Sequence, residues 1–562
     1  MTIPFKPASG RLNAIAVACA IVASAPAHAA RIETGNPDLE VRLDTSVRYN
    51  LGVRAERIDP ALGNNPNYDE TDYSFKRGQL MMNRLDLLSE LDVSWSSRFG
   101  GRLSAAGWFD AAYKDKVRTN PGELFPGLSY ASIGSYNSND YSSSVKRYYR
   151  GPSGEVLDAF AFANFDRVKL KAGQMTNFWG ESLFTQFHGI AYSQAPLDGR
   201  KATSSPGIGA KEVFLPIPQL AVQVQVTPEL SVAAQYVLGW KPNRLPDGGT
   251  YFGAADLLFE GPDRTLAGFA PNGAPFFVPR GQPVEPDKKR GNWGVNARWS
   301  PGWANGVLGV YYRKFDETQP WSAVFRLDPA SFAPIDYHQA YARGTEMLAA
   351  SYTTTLGSAS IGAELIYRKN TALNSGSAFA ASGDFAGLEG ARGNTWHAVV
   401  NAVYLLPRTP LWETGEIQAE LAYSQLAKVT RNAAVFNGVG YACAAGQGKN
   451  EGCSTKKVLI GQFNIEPRWL QVLAGLDLSA PASIAYGLRG NGATLGGGNE
   501  GSYAWSLGLA AKYRDIYNFS LKYNDSHART SNDPTTGMIS TQNGNAAQND
   551  HGWLNFTFQV SF

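Results

Sequence analysis

The chain has 562 residues, a formal net charge of +3, 43% hydrophobic residues and a mean hydropathy of −0.26. Without Lys6 and Arg11, which lie in the amino-terminal segment described next, the charge is +1, so composition gives no case for nucleic-acid binding. Beyond the first 30 residues no apolar run is long enough for a spanning helix. The 59 Gly, 26 Tyr, 28 Phe and 13 Trp residues favour a β protein with aromatic girdles.

The amino terminus has the pattern of an export signal. Its two basic residues precede an apolar stretch from Leu12 to Ala25 and a small-residue cleavage site, Ala27-His28-Ala29. We therefore predict a signal peptide over residues 1–29, cleaved before Ala30, and a β-barrel over residues 30–562.

The mature chain then alternates apolar and polar residues in pairs of segments. The first segment, Glu40 to Arg54, has Val47 and Tyr49 on one face and Arg48 on the other. The next pair, Leu85–Trp95 and Leu103–Tyr113, repeats this pattern. Because lipid does not tolerate charges at alternate positions, we expect these side chains to line a watery lumen. The predicted lumen-wall residues are Arg48, Arg84, Asp86, Asp92 and Arg102.

Short turns alternate with long loops along the chain. Turns are predicted at Arg98–Arg102, Asp166-Arg167, Pro228-Glu229, Pro301–Asn305, Leu356-Gly357, Pro407–Pro410, Pro467-Arg468 and Arg514-Asp515. Nine long loops separate the strand pairs, with a lone strand at each end of the chain. The pattern predicts an all-β, antiparallel transmembrane barrel of about 18 strands, with short periplasmic turns and long extracellular loops. The segment from Ile465 to Ala485 is the weakest, so 16 strands is the alternative.

The carboxy-terminal strand, Trp553–Phe562, places Leu554, Phe556 and Phe558 on one face and polar residues on the other. We expect it to close the barrel against the first strand. A terminal Phe562 also resembles the signal by which outer-membrane barrels are recognised by their assembly machinery.

Two cysteines remain in the mature chain. Cys443 and Cys453 lie ten residues apart in a glycine-rich loop that contains no histidine. Export implies an oxidising route, so we expect a disulfide rather than a metal site.

The most distinctive loop, residues 173–218, combines aromatic and charged side chains. If it folds into the lumen it narrows the pore; if it lies outside it caps the barrel, and the sequence does not decide between the two. The predicted constriction residues are Trp179, Glu181, His188, Asp198, Arg200, Lys201, Lys211 and Glu212.

The core of this loop, Trp179-Gly180-Glu181-Ser182, resembles a proteobacterial outer-membrane family that is catalogued only as a domain of unknown function. The segments Pro206–Glu212 and Gly475–Pro481 also fit its pattern. The resemblance covers the mature chain and implies a porin-like barrel with a transport role, since such proteins occur beside systems for catabolism or export of hydrophobic compounds.

Two further features lie in the loop from Pro242 to Gly291. Its aromatic residues, such as Tyr251 and Phe252, form either a landing surface for a hydrophobic solute or a small core within the loop. The basic run Lys288-Lys289-Arg290 either binds lipopolysaccharide phosphates or is simply solvated.

The sequence contains no metal-ligand spacing, phosphate loop or nucleotide fingerprint. We expect no cofactor and no enzyme activity, because the adjacent Ser526 and His527 point to opposite faces of a strand. The leading prediction is an outer-membrane channel of a Gram-negative bacterium for passive diffusion of a small hydrophobic or amphipathic solute. The alternatives are a partner-docking barrel without transport and an outer-membrane lipase. Expected partners are outer-membrane lipid, the solute and, in a homo-oligomer, further copies of the chain.

Overall fold

The computed structural model describes residues 30–562 except 121–122, 126–127, 130–133, 270–273, 287–288, 322–323, 377 and 381–388. The predicted signal peptide lies outside the described residues. Within them, eighteen antiparallel strands form one closed barrel, which confirms the predicted fold and strand count. The barrel strands are β1 (Leu39–Arg54), β2 (Leu80–Trp95), β3 (Phe99–Asp110), β4 (Ser153–Phe165), β5 (Val168–Met175), β6 (Ile217–Gln225), β7 (Leu230–Val237), β8 (Trp293–Trp299), β9 (Gly306–Phe315), β10 (Thr345–Leu356), β11 (Ala359–Ala372), β12 (Arg392–Leu405), β13 (Thr414–Arg431), β14 (Lys457–Leu473), β15 (Leu476–Ser479 and Ala482–Arg489), β16 (Tyr503–Tyr513), β17 (Tyr517–His527) and β18 (Trp553–Ser561).

The first and last strands close the barrel. β18 pairs with β1 from Ser46↔Ser561 to Arg54↔Trp553. The Thr45 N–H donates to the Phe562 carbonyl at 2.6 Å, and the Phe562 N–H returns a bond to Thr45 at 2.9 Å. Every strand therefore has two neighbours, and the barrel has no free edge.

The remaining elements are short. Strands outside the barrel are Ala30–Ile32, Glu123–Phe125, Leu128–Ser129, Arg264–Phe269, Pro275–Pro279, Val324–Leu327, Pro334–His338, Ala378–Ala380, Arg529–Asn532 and Ile539–Asn543. The helices are α1 (Pro60–Gly63), α2 (Asp69–Ser74), α3 (Ser143–Val145), α4 (Gly199–Ser204) and α5 (Ala210–Val213), with π or 3-10 turns at Lys146–Arg150, Asn137–Asn139, Ala433–Val435, Lys449–Glu451 and Ala546–Gln548. Among the described residues, no helix has the length and hydropathy to cross a membrane.

The two faces of the wall differ in chemistry as the alternation predicts. Exposed apolar side chains cover the outer surface, including Leu103, Val310, Leu365, Val400, Leu421, Leu507 and Leu521. Exposed aromatic residues mark the end of the barrel with the short turns, namely Trp95, Phe99, Phe165, Trp299, Trp303 and Tyr404. An apolar band bounded by an aromatic girdle is the surface that a bilayer solvates, so the strands span a membrane.

Two predicted turns were misplaced. The first is formed by Ser96 and Ser97, which have positive φ, and not by Arg98–Arg102. No turn forms at Pro467-Arg468, because both residues lie within β14. Pro467 pairs with Gly415 of β13, and its carbonyl accepts a bond from the Ala480 N–H at 3.1 Å. The chain turns instead near Gly475.

Loops on the opposite side of the barrel pack into a core of their own. Phe75 from the connection after β1, and Tyr113 and Tyr149 from the connection after β3, pack in one cluster with Tyr251, which is fully buried. Phe252 packs on the same cluster and contacts the Trp553 ring at 5.4 Å between centroids. For these aromatic residues the structure therefore supports the small core and not an open landing surface.

Candidate functional site

The connection between β5 and β6, residues 176–216, crosses the lumen; we call it the lumen loop. One part of it contacts β1, where the Arg48 guanidinium donates three bonds of 3.0 to 3.1 Å to the Glu212 carboxylate. Another part reaches β11, where a Cβ built on Gly362 would lie 3.1 Å from the Glu181 Cβ. Gly362 is close to the turn between β10 and β11, so the loop descends into the half of the barrel that carries the short turns. The loop therefore contacts the inner face of the wall at both places.

The Trp-Gly-Glu-Ser segment wraps around a carboxylate of the wall. Glu364 on β11 accepts bonds from the backbone N–H groups of Glu181, Ser182 (2.9 Å) and Ile190 (2.8 Å). Gly180 has φ +101°, and a Cβ there would lie 2.5 Å from the Glu364 Oε1. Only glycine fits this turn without displacing the carboxylate.

Trp179 anchors the same turn by packing. Its ring lies 6.2 Å from Tyr311 of β9 in a buried cluster with Ile190, Tyr192 and Met347. A Cβ on Gly294 of β8 would come within 2.9 Å of the Trp179 ring, so the wall lacks a side chain where the indole lies.

A second wall carboxylate holds the next segment. Glu420 on β13 accepts backbone bonds from Leu183 (2.6 Å), Phe184 (3.0 Å) and Thr185 (2.6 Å), and a fourth from the Thr185 hydroxyl at 2.7 Å. Backbone N–H groups converging on a carboxylate give short, charge-assisted bonds. The loop therefore has a fixed course and not merely a fixed attachment at its ends.

Two wall arginines satisfy the loop's carbonyl groups. Arg368 on β11 donates to Phe187 (2.8 Å) and Gly189 (2.9 Å), and Arg313 on β9 donates to Ile190 and Tyr192, each at 2.8 Å. Glu364, Glu420, Arg313 and Arg368 are not among the site residues predicted from the sequence. Charges at alternate strand positions identify them as lumen-facing, but nothing in the sequence pairs them with this loop.

His188 differs from its predicted role, since it is buried and offers no charge to the pore. Its Nδ1 lies 3.2 Å from the His397 Nδ1, and its Nε2 lies 3.2 Å from the Gly497 carbonyl. Burial, and then the nearby Arg368 charge, lower the pKa of His188 to about 4. Neutral His188 donates from Nε2 to the carbonyl, which makes Nδ1 the acceptor from His397.

Asp198, Arg200 and Lys201 are also buried, so none of them faces open lumen. Asp198 caps α4 through the Lys201 N–H and binds Arg244 at 2.8 Å. Lys201 pairs with Glu155 of β4, and Arg200 pairs with Asp247 at 2.8 Å. Through these pairs the three residues hold the lumen loop to β4 and to the connection after β7, and their part in a constriction stays a prediction.

The other predicted residues lie on the lumen side. Lys211 pairs with Glu90 and keeps half of its side chain exposed, and Glu181 lies 3.4 Å from Arg298. Of the wall residues, Arg84 pairs with Asp86 at 2.9 Å and Arg102 with Asp92 at 2.7 Å. Arg84 and Asp86 are buried, so of these two wall pairs only Arg102 with Asp92 presents charge to the open lumen.

A cavity of about 550 Å³ lies in the lumen between β2 and β7. Its lining includes Asp92, Arg102, Phe160, Phe162, Lys169, Lys171, Asn177, Trp179 and Gln223. Asn177 and Trp179 belong to the lumen loop, so the loop forms part of the cavity wall. The sequence showed Lys169 and Lys171 on one strand face but gave no sign of a cavity beside them.

One buried cluster in the described residues has donors that suit a metal ion. Atoms of Asp72, Asp550 and His551 lie within 4.8 Å of one another. Arg54 lies between the carboxylates, 2.7 Å from Asp72 and 2.9 Å from Asp550. Because the guanidinium already supplies the positive charge, we interpret the cluster as an ion-pair network that ties β1 to the loops.

Several other predicted features can be located. Cys443 and Cys453 form a disulfide with 5.8 Å between their Cα atoms. Ser526 and His527 are neighbours on β17 whose side chains point to opposite faces, and the His527 ring contacts Tyr503. Lys289 pairs with Glu285 at 2.7 Å, while Lys288 lies outside the described residues.

The profile of a family described as "Protein of unknown function (DUF1302)" matches residues 11–562. The chain belongs to this family. No curated protein matches the chain.

The chain also resembles solved structures of outer-membrane proteins in the overall course of its backbone. OccAB2 of Acinetobacter baumannii has 9% identity and a TM-score of 0.42, covering 93% of this chain and 98% of that one. A BenF-like porin from Pseudomonas fluorescens Pf-5 has 9% identity and a TM-score of 0.41, covering 95% and 99%. OpdK of Pseudomonas aeruginosa, solved with vanillate, has 8% identity and a TM-score of 0.40, covering 95% and 100%. Because these TM-scores are low, we assign the fold from the strand pairing described above.

Proposed function

We propose that the chain is a channel in the outer membrane of a Gram-negative bacterium, through which a small hydrophobic or amphipathic solute diffuses passively. The observation that carries the proposal is the lumen loop, whose backbone is bonded to wall carboxylates at Glu364 and Glu420. A loop fixed in this way narrows the lumen to a defined passage.

The charges of the passage favour the same function. Pairs of opposite sign with partly exposed side chains lie in the lumen, namely Arg102 with Asp92 and Arg298 with Glu181. Opposed charges set up a field across the lumen that orients dipolar solutes. We propose Glu181 and Lys211 as the residues of the lumen loop that a solute meets, because their charged groups remain partly exposed.

The surroundings of the barrel fit a location in the outer membrane. The apolar outer face implies contact with lipid, and Phe562, at the end of the closing strand, is proposed as the residue recognised by the assembly machinery. A homo-oligomer stays a proposal, since apolar residues that face lipid and those that face a partner look alike.

Planar-bilayer recording tests the proposal. The purified barrel should give stepwise conductance, and Glu181→Gln or Lys211→Gln should change its ion selectivity. Arg408→Gln, in an exposed turn outside the lumen, is the matched control and should leave selectivity unchanged. A folded barrel that conducts nothing would contradict the channel and favour the partner-docking alternative.

A further inference from the structure

Lys169 and Lys171 are the free cations of the lumen cavity. They lie two residues apart on β5, so both side chains point to the lumen, and both are exposed. Among the described residues, no carboxylate lies within 4.0 Å of either ammonium, although Lys171 interacts electrostatically with Asp158. In contrast, Arg48, Lys201 and Arg102 all form ion pairs. Positive charge that no ion pair within 4.0 Å compensates is therefore concentrated at this place in the passage.

An apolar wall stands directly beside the two ammonium groups. Phe160 and Phe162 of β4 project into the same cavity, and the Lys171 Nζ lies 5.3 Å from the centre of the Phe160 ring. Phe162 is paired with Lys171 across the two strands, and Phe160 with Gly173.

Small residues on the neighbouring strands make the hollow. Lys171 pairs with Ala221 of β6, and Gln223 of β6 pairs with Ala233 of β7. Gly173 has no room for a side chain, since a Cβ there would lie 2.7 Å from the Phe160 Cα. The wall thus recedes at Gly173, opposite Phe160, and at Ala221 and Ala233 on the other side of the lysines, and Trp179 of the lumen loop also lines the space.

The cavity has the right size and polarity for one kind of small molecule. Its volume of about 550 Å³ is in the range of small-molecule sites. Phenyl rings offer edge-to-face contact to a flat ring, and two ammonium groups within one strand repeat of each other bind a carboxylate by charge-assisted bonds. A cationic solute would meet like charges there and be disfavoured.

We propose that this cavity is a binding site for a small aromatic carboxylate, with its ring against Phe160 and Phe162 and its carboxylate at Lys169 and Lys171. The inference deepens the proposed function, on which its transport part rests: the site selects aromatic anions among the solutes that pass. Neither the family description nor the resemblance noted above assigns such a site.

Calorimetric titration of the purified barrel in detergent tests the site without requiring conductance. The probes are benzoate, acetate (the charge without the ring) and benzylammonium (the ring with the opposite charge). We expect benzoate to bind, and the other two to bind at least about tenfold more weakly, a difference of about 1.4 kcal/mol. Equal binding of benzoate and benzylammonium, or no benzoate binding, would overturn the proposal.

Variants assign the effect to the two lysines. Lys169→Gln with Lys171→Gln should weaken benzoate binding at least about tenfold, and the corresponding double arginine variant should retain it. Lys522→Gln, which removes a charge from β17 elsewhere in the barrel, is the matched control. A difference in electrophoretic migration between heated and unheated samples shows that each variant folds. Unchanged benzoate affinity in the double glutamine variant would refute the assignment.

The two proposals fail in different ways. A barrel that conducts ions but does not bind benzoate refutes the aromatic carboxylate and keeps the channel. A barrel that binds benzoate through the lysines but shows no conductance refutes the channel and keeps the site.

Discussion

Gly180 and Glu364 show how single residues fix the lumen loop. The glycine adopts φ +101°, and its missing Cβ leaves room for the Glu364 carboxylate and the Ile190 side chain. The carboxylate in turn satisfies three backbone N–H groups that are removed from water. Neither residue faces a solute, yet both determine where Glu181 lies.

Gly180→Ala should loosen this turn. The new methyl group would meet the Glu364 Oε1 at 2.5 Å in a backbone conformation that L residues rarely adopt, a cost of about 1–3 kcal/mol. Hydrogen exchange of the amides of residues 181–191 should become faster. Gly209→Ala in the same loop is the control, because its Cβ meets nothing closer than 3.8 Å. Equal exchange in the two variants would contradict the role given to Gly180.

Glu364→Ala should release the same segment by a different route. It leaves buried N–H groups of Glu181, Ser182 and Ile190 without an acceptor, which costs about 1–3 kcal/mol for each group that stays unsatisfied. We expect lost exchange protection at these three amides. Glu466→Ala, on β14 near a short turn, should leave them protected. Retained protection in Glu364→Ala would show that other contacts hold the loop.

At the scale of elements, the connection after β1 contains carboxylates that are buried where several loops meet. Glu70 receives the Ser135 N–H, and its own N–H donates to Asp256 at 3.3 Å. Burial, and then the neighbouring Asp69 charge, raise the pKa of Glu70 to about 8; burial raises that of Asp69 to about 7. The other charged groups around this cluster are Arg54, Asp72, Asp256, Arg264, Asp550 and His551.

These pKa values predict that the loops pack more tightly in acid. Because the Glu70 carboxyl has a higher pKa in the folded loop than in the unfolded loop, its protonated form stabilises the folded loop. This stabilisation is fully present below about pH 4 and is lost as pH rises to about 8. Proteolysis within residues 55–79 should therefore be slower at pH 5 than at pH 8, after correction for protease activity on a peptide substrate.

Glu70→Gln should reduce that pH dependence, because the amide does not ionise. Glu229→Gln, in the exposed turn between β6 and β7, is the control and should keep it. Proteolysis that is equally fast at both pH values in the unmodified chain would contradict the effect.

Sequence patterns predicted the elements far better than the site. The alternation in Glu40–Arg54 and Trp553–Phe562 reflects a period of two that lipid on one side and water on the other impose. Pro467 misled the turn prediction, since it sits in a strand opposite Gly415, a compensation that only the paired strand shows.

The candidate site required the structure because its contacts join distant parts of the chain. Glu420 binds Thr185 across more than 200 residues, and His188 meets His397 and Gly497. In the sequence, nothing indicates that Asp198, Arg200 and Lys201 are paired. In the structure they are buried in ion pairs with Arg244, Asp247 and Glu155, respectively.

At the scale of the whole molecule, the barrel is a continuous wall, and its function depends on what fills the lumen. The outward loops pack around Tyr251, and the lumen loop runs from Arg48 on one part of the wall to Glu420 on another. We propose that the lumen loop, and not the number of strands, sets the width of the passage.

The most direct test is the single-channel conductance of two chains. One is the unmodified barrel, and the other has residues 181–191 replaced by a Gly-Ser segment of equal length, which keeps the connection but removes the side chains and the fixed course at Glu364, Glu420 and Arg368. We predict stepwise conductance in both and larger steps in the replaced chain. Equal conductance, or no steps from either folded barrel, would contradict this prediction.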